Sequence, residues 1–161
     1  MSKTTPLARR QLLGAVAAAA TAGAVLPVSA ATGKAQAAAD GPAHKIVYQL
    51  NRPEHEYQEA ILNSVGAVLK KYVDDVAIAV VAWGPGIHLL AKKPLRPVAP
   101  LLQQRVRSMS ESYGVEFVAC GNTMHSLNWS QPDMLDVARI EEVGAAALME
   151  YQEKGYAYIA W

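Results

Sequence analysis

The sequence predicts an α/β fold: a mostly parallel sheet of about five strands with helices on both faces. Three observations lead there. Strand-like and helix-like segments alternate from Lys45 to the end. No Asn-Gly or Asp-Gly hairpin signal joins any two strands. The run Val76-Ala77-Ile78-Ala79-Val80-Val81-Ala82-Trp83 is apolar on both of its faces, as a central parallel strand must be.

The segments follow in order. Residues 1–37 read as an export signal, with a basic start, an Ala-rich stretch from Gln11 to Val25, then Pro27 and small residues. Arg9-Arg10, followed by Gln11-Leu12-Leu13, resembles the twin-arginine export motif. Cleavage fits after Ala30 or Ala37, and Ala35-Gln36-Ala37 is the closer Ala-x-Ala match. The expected location is therefore the periplasm. Gly14, Thr21, Gly23 and Pro27 interrupt the apolar run, so no stable membrane insertion is expected once the signal is removed.

Residues 38–43 read as a linker and 44–161 as one domain with one core. Lys45–Leu50 is a strand ended by Asn51-Arg52-Pro53. Glu54–Tyr72 is a helix: Tyr57, Ile61, Val65, Val68, Leu69 and Tyr72 recur at helical spacing. Its early acids and its late Lys70-Lys71 suit the helix dipole. The second strand, Val76–Trp83, breaks at Gly84-Pro85-Gly86, and Ile87–Leu90 begins a short helix. After the loop Lys92–Pro97, Val98–Tyr113 is a helix stopped by Gly114. Val115–Cys120 is the third strand. Asn122–Trp129 is a short helix with Asn122 as its cap, and Asp133–Val137 is a helical turn. Ala138–Glu141 is extended, Val143–Lys154 is a helix stopped by Gly155, and Tyr156–Ala160 is the last strand.

Composition narrows the function. The whole chain carries a formal net charge of +1. Residues 1–37 hold Lys3, Arg9, Arg10 and Lys34 and no acid, so what remains is net negative. With no basic patch, nucleic-acid binding is not expected. The chain has one cysteine. An exported protein that keeps an unpaired thiol needs a reason for it. Cys120 is a packed small hydrophobe, a partner for another chain, or a nucleophile.

In a parallel sheet the reaction site lies beyond the carboxyl ends of the strands. Three segments fall at that edge: Asn51–His55, Trp83–Gly86 and Cys120–His125. Cys120 ends a strand and precedes a helix start, where backbone N–H groups favour a thiolate. Glu116, on the same strand face, opposes it. Asn122 and Thr123 are placed to donate hydrogen bonds to an anionic sulfur there. His125 is either a base near the sulfur or an exposed helix residue. Gly84 and Gly86 make a tight strand-to-helix turn or present N–H groups to an anion. Pro85 removes one donor, and no Lys-Ser/Thr follows as in a phosphate loop, so no cofactor is expected. His44, His55, His88 and His125 have no short ligand spacing with each other or with Cys120, so no metal is expected.

The strand ending in Gly84-Pro85-Gly86-Ile87, the segment Gly114–Met124 with its Ala-Cys-x-Asn-Thr-Met string, and Val143-Gly144 running to Ile159 resemble the DsrE/DsrF-like, or YchN-like, sulfur-relay family. The resemblance spans His44–Trp161. It implies a Rossmann-like three-layer fold, homotrimers or homohexamers, and a persulfide-carrying cysteine at the position of Cys120, with sulfur donor and acceptor proteins or small thiols as partners. The rival expectation is a non-catalytic oligomeric module that binds a small ligand beside Trp83, Gly86 and Cys120.

Overall fold

The computed structural model describes residues 41–73 and 75–161. Residues 1–37, expected from sequence to be an export signal, and most of the expected linker lie outside the described residues. Five strands form one sheet in the order β4-β3-β2-β1-β5. They are β1 (His44–Leu50), β2 (Val76–Ala82), β3 (Glu116–Cys120), β4 (Ala138–Glu141) and β5 (Ala157–Ile159). Every pairing is parallel. The helices are α1 (His55–Tyr72), α2 (Pro100–Tyr113), α3 (Gly121–Ser126) and α4 (Gly144–Glu153), with 3₁₀ segments at Gly84–Leu90 and Gln131–Asp133.

Strand alternation divides the core into two layers. Tyr48, Leu50, Ile78, Val80, Ala82, Phe117 and Ala119 face one way and pack with the inner faces of α1 and α2. Val47, Ala79, Val81 and Val118 face the other way, against Ala147, Leu148 and Tyr151 of α4. Cys120 shares the parity of Val118, so its side chain belongs to the α4 layer. The chain steps from β1 to β4 in one direction. It then returns through α4 to place β5 on the far side of β1.

Several boundaries differ from the sequence reading, each for a local reason. The segment after β2 is a 3₁₀ helix that already includes Gly84, because its N–H groups close on carbonyls three residues back; Gly86 N–H meets the Trp83 carbonyl at 3.1 Å. Helix α2 starts at Pro100, where a missing N–H costs nothing. The helical turn expected at Asp133–Val137 forms earlier, at Gln131–Asp133, because Ser130 and Asp133 make a reciprocal capping box. Asn122 does not cap α3. Cys120 itself occupies the cap position, extended at φ −75° and ψ 115°, and the helix begins at Gly121.

Candidate functional site

The register of β3 brings Cys120 to the carboxyl edge of the sheet beside Glu141 of β4. Two helices start there. Helix α3 follows the cysteine directly, and α4 begins at Gly144 after the Glu142-Val143 corner. The Gly144 N–H donates to Cys120 Sγ at 3.2 Å. The thiol is free and 6% exposed. The Glu142 carbonyl stands 4.0 Å from Sγ, within reach of the S–H when the group is protonated.

Burial is the largest single influence on the thiol and pushes its pKa up. The Thr123 hydroxyl and N–H, the Gly144 N–H and the Asn122 N–H push it down, and together they outweigh burial. The thiol is therefore held below its ordinary value. The cause is a set of short dipoles at two helix starts rather than a cation. Glu116, expected to work against the thiolate, is engaged elsewhere. It accepts from the Tyr151 hydroxyl at 2.7 Å and pairs with Arg139 at 3.6 Å. Arg139 also bonds Glu141.

The other residues singled out from sequence divide into two groups. Thr123, which helps lower the thiol's pKa, accepts the Gly84 N–H at 3.1 Å, which ties the loop after β2 to the start of α3. Gly84 needs to be glycine, since its φ is +49°. Trp83 is half-buried, and its ring closes on Gly144 from beside Cys120. Asn122 is exposed, with its N–H directed at the Glu142 carbonyl at 2.9 Å. His125 is exposed on the last turn of α3. Gly86 is turned away from the sulfur. A Cβ there would lie 2.7 Å from the Leu50 carbonyl carbon, so its role is to let the 3₁₀ segment sit on the end of β1.

His88 is structural: it is 3% exposed, accepts the Leu95 N–H on Nδ1 at 3.2 Å, and meets the Trp129 ring edge-on at 5.0 Å. Among the described residues no group of three His, Cys, Asp or Glu side chains is placed to hold a metal. A groove of about 460 Å³ lies between α1 and α2, lined by Leu69, Val73, Met109 and Tyr113, on the opposite face of the sheet from Cys120.

Gly144 is the residue that sequence reasoning missed. A Cβ at this position would sit 2.9 Å from Trp83 Cε3, 3.0 Å from Cys120 Cβ and 3.4 Å from Sγ. Only glycine lets α4 start close enough to bond the sulfur. The available signal was the Val143-Gly144 pair at the head of a helix, where a glycine otherwise lowers helix stability.

The fold and this edge have counterparts. The DsrE/DsrF-like family model matches residues 43–161. The chain belongs to the DsrE/DsrF-like family. No functionally curated protein matches it. Among solved structures, this DsrE-like chain is similar to MTH1491 of Methanobacterium thermoautotrophicum, a protein of unknown function. The identity is 24% with a TM-score of 0.62, covering 73% of this chain and 99% of that one. It is also similar to the ychN protein of E. coli, at 12% identity and a TM-score of 0.61, with the same coverage. These likenesses are of fold.

Proposed function

We propose that this DsrE-like protein is an exported sulfur carrier in which Cys120 holds sulfane sulfur as a persulfide. One observation carries the reading. A buried thiol is kept below its ordinary pKa by the Gly144 N–H, at 3.2 Å, and by Thr123. A thiol that only filled space would need no such donors, and burial alone would leave it protonated. The same donors suit the persulfide anion. The chemistry is thiolate attack on a donor's sulfane sulfur, followed by release to an acceptor thiol. Family membership supports the sulfur-relay setting.

The test is mass spectrometry of the purified mature chain after exposure to polysulfide. A gain of one sulfur at Cys120, absent from Cys120→Ser, is the expected result. No adduct would leave the non-catalytic ligand-binding module as the better reading. Export by the twin-arginine route belongs to the same proposal, and Arg9→Lys with Arg10→Lys is expected to retain precursor in the cytoplasm. Unchanged periplasmic yield would remove that part.

A further inference from the structure

We infer that Tyr151 is a positioning residue for Cys120: its hydroxyl, bonded to Glu116 and Arg139, fixes where α4 lies along β3 and so keeps the Gly144 N–H on the sulfur. The inference deepens the sulfur-carrier reading above, since it names what holds the carrier's thiol against its donor.

Helix α4 is tied to β3 at two places. At its first residue, the Gly144 N–H donates to Cys120 Sγ at 3.2 Å. Two turns on, the Tyr151 hydroxyl donates to Glu116 Oε2 at 2.7 Å and accepts from Arg139 Nη2 at 2.9 Å. The helix therefore runs back along the strand, from its carboxyl end toward its start. Helical rise separates Gly144 from Tyr151 by about 10 Å, and strand rise separates Cys120 from Glu116 by about 13 Å. The two spans agree to within the reach of the side chains, so both ties form at once.

Between the ties lie Val118, Ala147 and Leu148, which share one apolar cluster. Apolar burial holds the helix down on the sheet, but it is non-directional and does little to stop a slide along the strand. Hydrogen bonds are directional and weaken steeply when stretched or bent. Gly144 has no side chain to grip the edge of the sheet, so its N–H goes where the helix goes. The axial position of α4 is thus set from Tyr151.

Tyr151 is built for that task. It is 4% exposed. Burial, and then the bond to Glu116, hold its hydroxyl well above the usual phenol range, so it remains a donor through neutral pH. Its partners come from two strands: Glu116 on β3 pairs with Arg139 on β4 at 3.6 Å, and Arg139 also bonds Glu141. Tyr156 meets the Tyr151 ring edge-on at 4.8 Å, and Lys154 Nζ stands 5.7 Å from the ring centre. The anchor is therefore fixed to the sheet and packed on its other sides.

The experiment measures the Cys120 alkylation rate against pH in the mature protein, with urea midpoints alongside, for wild type, Tyr151→Phe, Glu116→Gln and the double variant. Tyr151→Phe keeps the ring and removes the anchor. Glu116 and Arg139 are half exposed, so water replaces their lost bonds and the variant folds. Its inflection is expected to rise by about half a unit or more, because the Gly144 donor is weakened. Glu116→Gln keeps a carbonyl for the Tyr151 hydroxyl and removes a charge, so its inflection should not rise. The double variant separates position from charge, since a Glu116 carboxylate released from Tyr151 would also oppose the thiolate, though from beyond the screening length of about 8 Å. An inflection as high in the double variant as in Tyr151→Phe is the expected result. A return to the wild-type value would assign the effect to charge and overturn the inference. A lower urea midpoint in Tyr151→Phe with an unmoved inflection would make the network a brace for the fold alone, and overturn it too. Polysulfide uptake by the wild type is followed in parallel. An inflection that shifts as expected in a protein that takes up no sulfur overturns the carrier reading and leaves the role of Tyr151 standing.

Discussion

At the scale of single residues, the molecule's chemistry turns on how one buried sulfur is kept ionisable. Burial raises a thiol's pKa, and the N–H groups and hydroxyl at Cys120 reverse that. The alkylation rate of Cys120 is accordingly expected to inflect at a lower pH than that of a free cysteine. Thr123→Val keeps the shape and removes the hydroxyl, so the inflection should move up. Thr123→Ser restores the donor and should bring it back. An inflection indifferent to both changes would show that Thr123 does not act on the sulfur. Gly144→Ala tests the other donor. The new methyl meets Trp83 and Cys120, so urea unfolding should report a loss of about 1–3 kcal/mol from overpacking. The alkylation inflection should rise with it, because α4 has to back away from the sulfur. Wild-type stability in Gly144→Ala would mean that the edge of the sheet is looser than its geometry.

At the scale of elements, the 3₁₀ segment Gly84–Leu90 is the joint between the two halves of the site. Its first residues reach Thr123, and its last turn carries His88. Burial, and secondarily the nearby Arg96 charge, hold His88 below the usual histidine pKa. The sign follows from proton binding. As pH falls below about 6.5 the unfolded chain takes up its proton first, so stability falls until pH passes below the folded-state value. The urea midpoint should therefore drop as pH falls below about 7, and His88→Phe should flatten the part of that slope due to this residue, even if it lowers stability throughout. A slope the same in wild type and variant would place the acid sensitivity elsewhere. The helix ends are more readily legible in sequence. Gly114 closes α2 at φ +67°, with its N–H reaching the Ser110 carbonyl at 3.0 Å. Gly114→Ala should cost about 1 kcal/mol, because any side chain is strained in that conformation.

At the scale of the whole molecule, among the described residues one face of the sheet is covered by α1 and α2 and the other by α4. Large apolar side chains remain on the outside: Leu95, Leu101 and Tyr113 are each more than half exposed, as is Trp161. A homotrimer or homohexamer, proposed from the family resemblance, would cover such groups. Light scattering of the mature chain at micromolar concentration is expected to give one of those two masses. A clean monomer would count against the assembly.

The order of elements and the parallel sheet were legible in the chain itself. Hydrophobic periodicity is local: Val76–Trp83 reads as a buried strand from its own residues, and Tyr57, Ile61 and Val65 mark one face of α1 without reference to anything else. The convergence of Cys120 with Trp83–Gly86 at one edge also followed, because parallel strands all end on the same side. What the sequence could not decide is which backbone atoms meet the sulfur. Gly144 is far along the chain from Cys120, and only the β3–β4 register and the return through α4 bring its N–H to 3.2 Å. Nor could it decide that Gly86 faces Leu50 or that Glu116 is engaged by Tyr151 and Arg139. The physical reason is that a pKa and a close contact depend on distances of a few ångströms between elements. Those distances are set by how layers pack, whereas the elements themselves are set by neighbours along the chain.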